Sequence, residues 1–183
     1  MEQDASNLTV WAQIREDWIA HGRDWTRPGF RSVVVNRVGK LQVQSPHRSI
    51  RALTRYAYLA AHRRMRNRYG IELPYSVKFG RRTVIEHQGA IVIHGDAEIG
   101  DDCIIRQGVT IGNRYLDRPF DAPRLGARVN VGAGAKILGP VSIGDDVRIG
   151  ANAVVLSDVP SGATAVGVPA VVVADRGPTP TDP

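Results

Sequence analysis

The chain has 183 residues, a formal net charge of +6 from 24 Lys and Arg against 18 Asp and Glu, and 43% hydrophobic residues, which fits one large domain or a solenoid with a small appendage. Its single cysteine, Cys103, excludes an intrachain disulfide. No stretch approaches the ~20 apolar residues of a membrane span, and Met1-Glu2-Gln3-Asp4 lacks the basic and apolar regions of a signal peptide, so a cytoplasmic protein is expected.

Leu8, Trp11, Ile14, Trp18 and Ile19 share one face of a helix read over residues 8–22. Pro28-Gly29 breaks the chain, and Phe30 to Leu41 reads as a second helix despite its valines. Ser45-Pro46 is the next break, followed by a helix from Ser49 to Arg68 that Gly70 stops. Residues 1–69 are therefore an α-helical N-terminal segment, whose apolar faces must dock on the rest of the chain or on another subunit. Much of the positive charge lies here, in Arg51, Arg55, Arg63, Arg64, Arg66 and Arg68. These arginines alternate with Leu53, Tyr56, Leu59 and Ala60 at helical spacing, which favours a solvated basic face over a nucleic-acid or membrane surface. Such a face would still attract an anionic ligand, for example a nucleotide-bearing thioester. His21, His47 and His62 read as ordinary surface residues of this segment.

From Leu73 to Val155 the chain places an aliphatic residue at every sixth position. Leu125, Val131, Ile137, Ile143, Ile149 and Val155 keep one phase, Ile93, Ile99, Ile105 and Ile111 another, and Leu73, Phe79, Ile85 and Ile91 a third, before a slip of two. Gly follows the aliphatic at 100, 112, 126, 132, 144 and 150. A period of six fits neither an amphipathic helix nor a strand. It fits a solenoid that turns a corner every six residues, with Gly taking backbone conformations that a Cβ forbids. The fold class is mainly β, a parallel β-helix over residues 70–173 behind the helical segment. Cys103 occupies a small-residue slot and reads as a packed thiol. Residues 113–124, polar and twice broken by Pro, interrupt the repeat as a loop, the usual place for function on a solenoid. Residues 174–183, with three Pro in the last six, are expected to be a disordered tail.

His87 stands out among the histidines. It follows Ile85-Glu86 where the repeat slips, and a flank histidine with an adjacent carboxylate is a candidate general base. His94 takes a corner position where the repeat usually has Gly. No third ligand lies at a convincing spacing from His87 and His94, so no metal is expected.

The stretches Gly70-Ile71-Glu72-Leu73-Pro74, Ile85-Glu86-His87-Gln88-Gly89-Ala90-Ile91-Val92-Ile93 and Gln107-Gly108-Val109-Thr110-Ile111-Gly112 resemble the serine O-acetyltransferase family. Gly132-Ala133-Gly134-Ala135-Lys136-Ile137-Leu138-Gly139, Ile149-Gly150-Ala151-Asn152-Ala153-Val154-Val155 and Gly167-Val168-Pro169-Ala170 continue the resemblance. The match covers about 100 residues; the later coils are common to hexapeptide acyltransferases and the His87 segment points to the serine branch. The resemblance implies a left-handed β-helix and transfer from acetyl-CoA to the hydroxyl of L-serine. It implies His87 as the general base, Glu72 as its orienting acid, and Glu86 as holder of the acceptor's amino group. Gly112, Asn113, Ala133 and Ala151 match the positions lining the acetyl-CoA groove between subunits, where small side chains let the pantetheine arm reach the backbone. A homotrimer is implied, paired or not into a hexamer through the N-terminal helices.

The chain departs from this pattern in the loop. The family's Arg-His pair for the serine carboxylate falls on Asp121 and Ala122, leaving Arg118 and Arg124 as the loop's candidate cations. A further family histidine is Gln107, and the N-terminal acidic contact has Asp24 as its candidate. Acetyl transfer is thus better supported than serine as its acceptor. The rivals are O-acetylation of a sugar or specialised metabolite, a metal-dependent carbonic anhydrase on the same solenoid, and a non-catalytic scaffold.

Overall fold

The computed structural model describes residues 9–44 and 48–173; Leu8, His47 and the expected tail at 174–183 lie outside them. Helix α1 (Val10–Ala20) is capped by Thr9, whose hydroxyl accepts from the Ala12 amide at 3.3 Å. Helix α2 (Pro28–Gln44) begins on the Pro-Gly pair read as a break, because Pro is well suited to a first helical position. Helix α3 (Arg48–Tyr69) ends at Gly70, whose φ of +63° is the left-handed conformation of a helix stop.

Fifteen short strands then wind five coils. The first coil holds β1 (Ile71–Glu72), β2 (Lys78–Phe79) and β3 (Val84–Ile85), and the second holds β4 (Ile91–Ile93), β5 (Glu98–Ile99) and β6 (Ile104–Ile105). The third holds β7 (Thr110–Gly112), β8 (Arg124–Leu125) and β9 (Asn130–Val131), and the fourth β10 (Lys136–Leu138), β11 (Ser142–Ile143) and β12 (Arg148–Ile149). The last holds β13 (Val154–Val155) and β14 (Thr164–Val166), followed by β15 (Val171–Val173). Sheet A stacks β1-β4-β7-β10-β13, sheet B β2-β5-β8-β11, and sheet C β3-β6-β9-β12-β14-β15. Every pairing among the named strands is parallel except β14 with β15, where the chain doubles back antiparallel.

The six-residue aliphatics point inward as ladders. Ile85, Ile105, Val131, Ile149 and Ala165 stack in sheet C, none more than 3% exposed. Burying each Ile or Val of the ladder stabilises by about 1.5–3 kcal/mol. Cys103 sits in this interior, and burial pushes its thiol up to about 11, so it stays protonated. The glycines between sheets B and C have a different cause from the one expected. A Cβ on Gly80 would lie 2.1 Å from the Gly100 oxygen, and one on Gly100 2.4 Å from the Gly126 oxygen. They are there for close stacking. The left-handed conformation falls two residues later, on Arg82, Asp102, Arg128 and Asp146, with φ between 56° and 60°.

The helical segment docks on the first coil through buried polar groups. Arg37 Nε donates to Asp17 Oδ2 at 2.9 Å, its Nη2 to the Gly80 carbonyl at 2.6 Å and its Nη1 to the Phe79 carbonyl, while Asp17 Oδ1 accepts from the Arg82 amide at 3.0 Å. Asp17 is fully buried and Arg37 is 2% exposed. His21 corrects the surface reading: it is fully buried, its Nδ1 lies 2.6 Å from the Asp17 carbonyl, and its Nε2 accepts from the Ile85 amide at 3.3 Å. His62 also leaves the surface class, half-buried against Tyr58 with ring centroids 5.4 Å apart. Gly29 brings α2 against the same strand, where a Cβ would stand 2.0 Å from the Ile85 oxygen. Among the described residues no helix is long and apolar enough to cross a membrane.

Candidate active site

The strand register explains the slip at His87. Ile85 pairs with Ile105 and Val92 with Thr110, so residues 86–90 fill a corner that residues 106–108 fill one coil later. The Gly108 amide donates to the Gly89 carbonyl at 2.8 Å, as the Gly134 amide does to that of Gln107. Glu86 therefore corresponds to Arg106 and Gly89 to Gln107. The two additional residues are His87 and Gln88. They form a bulge at the corner between sheets C and A, and both are exposed. Bulges of this kind re-aim a side chain out of a regular surface.

Glu86, half-buried at the foot of the bulge, is 2.7 Å from Arg106 Nε through its Oε2. Arg106 Nη1 in turn donates to Asn130 Oδ1 and lies 3.5 Å from the Val131 carbonyl. Arg106 is the residue that the sequence reading missed. Its signal was the 20-residue length of the first coil, which puts it directly over Glu86. Glu72 is on β1, paired with Val92, and no hydrogen bond joins it to His87 within the chain. It acts instead on His62 of α3: burial holds that imidazole below its usual range, against the upward pull of Glu72. His62 Nε2 is buried without a hydrogen-bond partner among the described residues.

The remaining expected residues divide between the two borders of sheet A. Ala133 and Ala151 follow the His87 corner along the axis, one coil apart, with the Asn152 amide donating to the Ala133 carbonyl at 2.8 Å. Coils stack at about 4.8 Å, so this corner presents a row of small residues beside the bulge. Gly112 and Asn113 lie at the opposite border, where β7 gives way to the loop; Gly112 is buried and Asn113 Nδ2 donates to the Tyr115 carbonyl at 3.0 Å. The loop bonds mainly to itself. Arg118 lies over the Tyr115 ring at 5.9 Å, beside Arg114 at 5.1 Å, and the Asp121 amide donates to the Arg118 carbonyl at 3.3 Å. Arg124 is exposed on β8 in sheet B, 3.9 Å from Glu98. Asp24 caps its own turn: its Oδ1 accepts from the Thr26 amide at 2.8 Å, and that turn holds the carboxyl below its usual range. His94 Nδ1 accepts from the Asp96 amide at 3.2 Å. Among the described residues no group of three or more His, Cys, Asp or Glu is placed to hold a metal ion. A cavity of about 600 Å³ lies elsewhere, against α3, lined by Arg48, Arg51, Arg55, Tyr58 and Tyr75, and holds none of these residues.

The family described as bacterial transferase hexapeptide (six repeats) matches residues 122–157. A serine acetyltransferase of Helicobacter pylori (strain J99) is 54% identical over 101 residues, 55% of this chain and 59% of that protein. The chain thus spans little more than half the length of that curated relative. A solved structure of soybean serine acetyltransferase complexed with serine superimposes with a TM-score of 0.77 at 29% identity, over 92% of this chain and 71% of that one. Serine acetyltransferase of Brucella abortus strain S19 in complex with coenzyme A gives 0.77 at 25% identity, over 92% and 70%. Coils, ladders and matches together define a hexapeptide-repeat transferase fold, a left-handed parallel β-helix with a helical cap. Within that class, the relatives and solved structures to which the chain is similar are serine acetyltransferases.

Proposed function

We propose that the protein is an O-acetyltransferase that moves the acetyl group of acetyl-CoA to the hydroxyl of L-serine by direct transfer. The observation that carries this reading is the two-residue bulge, which lifts His87 out of the corner at the head of the row of small residues containing Ala133 and Ala151. His87 takes the proton from the acceptor hydroxyl as its oxygen attacks the thioester carbonyl carbon. The tetrahedral intermediate collapses by breaking the carbon–sulfur bond, and the CoA thiolate leaves with the proton returned by the imidazolium. General-base assistance of this kind contributes about 10²–10⁴ in rate. By the family resemblance Glu72 would steady the imidazole, a contact that the described residues do not make, and Glu86 holds the ammonium of the acceptor.

Gly112 and Asn113 stand at one border of sheet A and His87, Ala133 and Ala151 at the other, which supports a groove completed by a second copy and hence a homotrimer. The serine-complexed and CoA-complexed relatives support the same pair of substrates. CoA release measured with L-serine, homoserine and nucleotide sugars tests the reading. Turnover with L-serine that is lost in His87→Ala, with acetyl-CoA binding retained, is the expected result. Turnover with a sugar alone reassigns the acceptor, and release with none of them returns the chain to a scaffold.

A further inference from the structure

The loop position that should supply a cation for the acceptor carboxylate is Asp121, yet the His87 corner contains a cation of its own. We propose that Arg106 reads the acceptor's carboxylate, so that Glu86 and Arg106 together form a receptor for the zwitterionic end of an α-amino acid. This rests on the acetyltransferase reading above and deepens it by naming the residue that selects the substrate class.

Arg106 is on the same corner as His87, one coil from Glu86 and in register with it through Ile85 and Ile105. Its guanidinium is held on two sides, by Glu86 Oε2 against Nε and by Asn130 Oδ1 against Nη1. These contacts fix its plane and leave Nη2 without a hydrogen bond. The two side chains are 29% and 38% exposed, so a small molecule reaches both. An anion and a cation stand at neighbouring heights, about one coil spacing of 4.8 Å apart. An ammonium group on Glu86 then puts the carboxylate of the same amino acid within reach of Nη2 and the hydroxyl toward His87, the next residue in the chain. The loop cations are otherwise engaged: Arg118 stacks on Tyr115 and Arg124 faces Glu98 across sheet B. With Arg106 in this role, Asp121 has no carboxylate to repel.

The test compares L-serine with ethanolamine, which has the same hydroxyl and ammonium but no carboxylate, by CoA release from the full chain. In Arg106→Gln the ratio of kcat/KM for serine to that for ethanolamine should fall about 10- to 150-fold, the worth of one charge-assisted contact, through KM for serine. Arg106→Lys should recover part of the ratio, and the KM for acetyl-CoA and the melting temperature report that the variants are folded. An unchanged ratio in Arg106→Gln overturns the proposal, as does a ratio that falls in Arg118→Ala or Arg124→Ala instead. A wild-type protein that acetylates no amino acid refutes the acceptor assignment itself, and is recognised before any variant is made.

Discussion

Replacing Arg37 by Met should detach the helical segment from the coils. The side chain is 2% exposed and supplies donors to Asp17, to the Phe79 carbonyl and to the Gly80 carbonyl. Met fills a similar volume but donates nothing. Asp17, fully buried, would keep only the Arg82 amide at 3.0 Å. Breaking a buried pair by removing one partner costs about 3–5 kcal/mol, because a charge is left without compensation. For a chain of this size that is a fall in melting temperature of roughly 6–20 °C. Thermal unfolding followed by circular dichroism, supported by urea titration, measures it. The double variant Asp17→Leu/Arg37→Met should regain most of the loss, since no unpaired charge remains, and the cycle isolates the pair's coupling. A cost in Arg37→Met below about 1 kcal/mol, the range of an exposed ion pair, would refute the view that this contact anchors the cap.

Acidification should weaken the same junction. Burial lowers the pKa of His21 from the ordinary 6.5, against opposing help from Asp17, so the unfolded chain takes the proton first. The stability is fully present above that ordinary value and is lost as pH falls below it, and a urea midpoint that rises on acidification would contradict this. His87→Gln should lower kcat with L-serine by about 10²-fold or more while the acetyl-CoA dissociation constant stays close to wild type; calorimetry and turnover check the two halves. Ala133→Leu should raise the KM for acetyl-CoA while leaving the fold intact, since the residue sits at an accessible corner, and an unchanged KM places the cofactor elsewhere. Sedimentation at micromolar concentration should give a homotrimer, and a monomeric mass would remove the shared groove.

The solenoid was legible because its signal is redundant: a dozen aliphatics at one spacing report the same interior, and no other regular structure buries that period. Glycine was legible as a marker but not as a cause. Sequence shows that Gly follows the aliphatic; only the stacked coils show that Gly80 and Gly100 make room for the carbonyl above, while Arg82 and Asp102 adopt the left-handed backbone. The slip at His87 was visible as a phase error, but its meaning needed the register, which alone pairs Glu86 with Arg106 across 20 positions. His21 was misread because burial of a polar side chain depends on what docks against it. Nothing local in the first helix says that Ile85, more than sixty residues later, will give it an amide proton.

A stack of like coils has no natural length, because each finished turn is a template for the next. In this chain both ends are closed by foreign geometry. At the far end the Val154 amide donates to the Gly167 carbonyl at 3.0 Å and its carbonyl accepts from the Ala170 amide at 2.8 Å, while β15 runs against the direction of β14. A further turn would need parallel edges at that height, but the edge of β13 is already spent and sheet C ends on an antiparallel strand. The near end is covered by α2 and α3, with Gly29 pressed on Ile85. Residues 167–173, whose exposed valines look unremarkable, thus take up the edge on which the next coil of a self-templating architecture would be built.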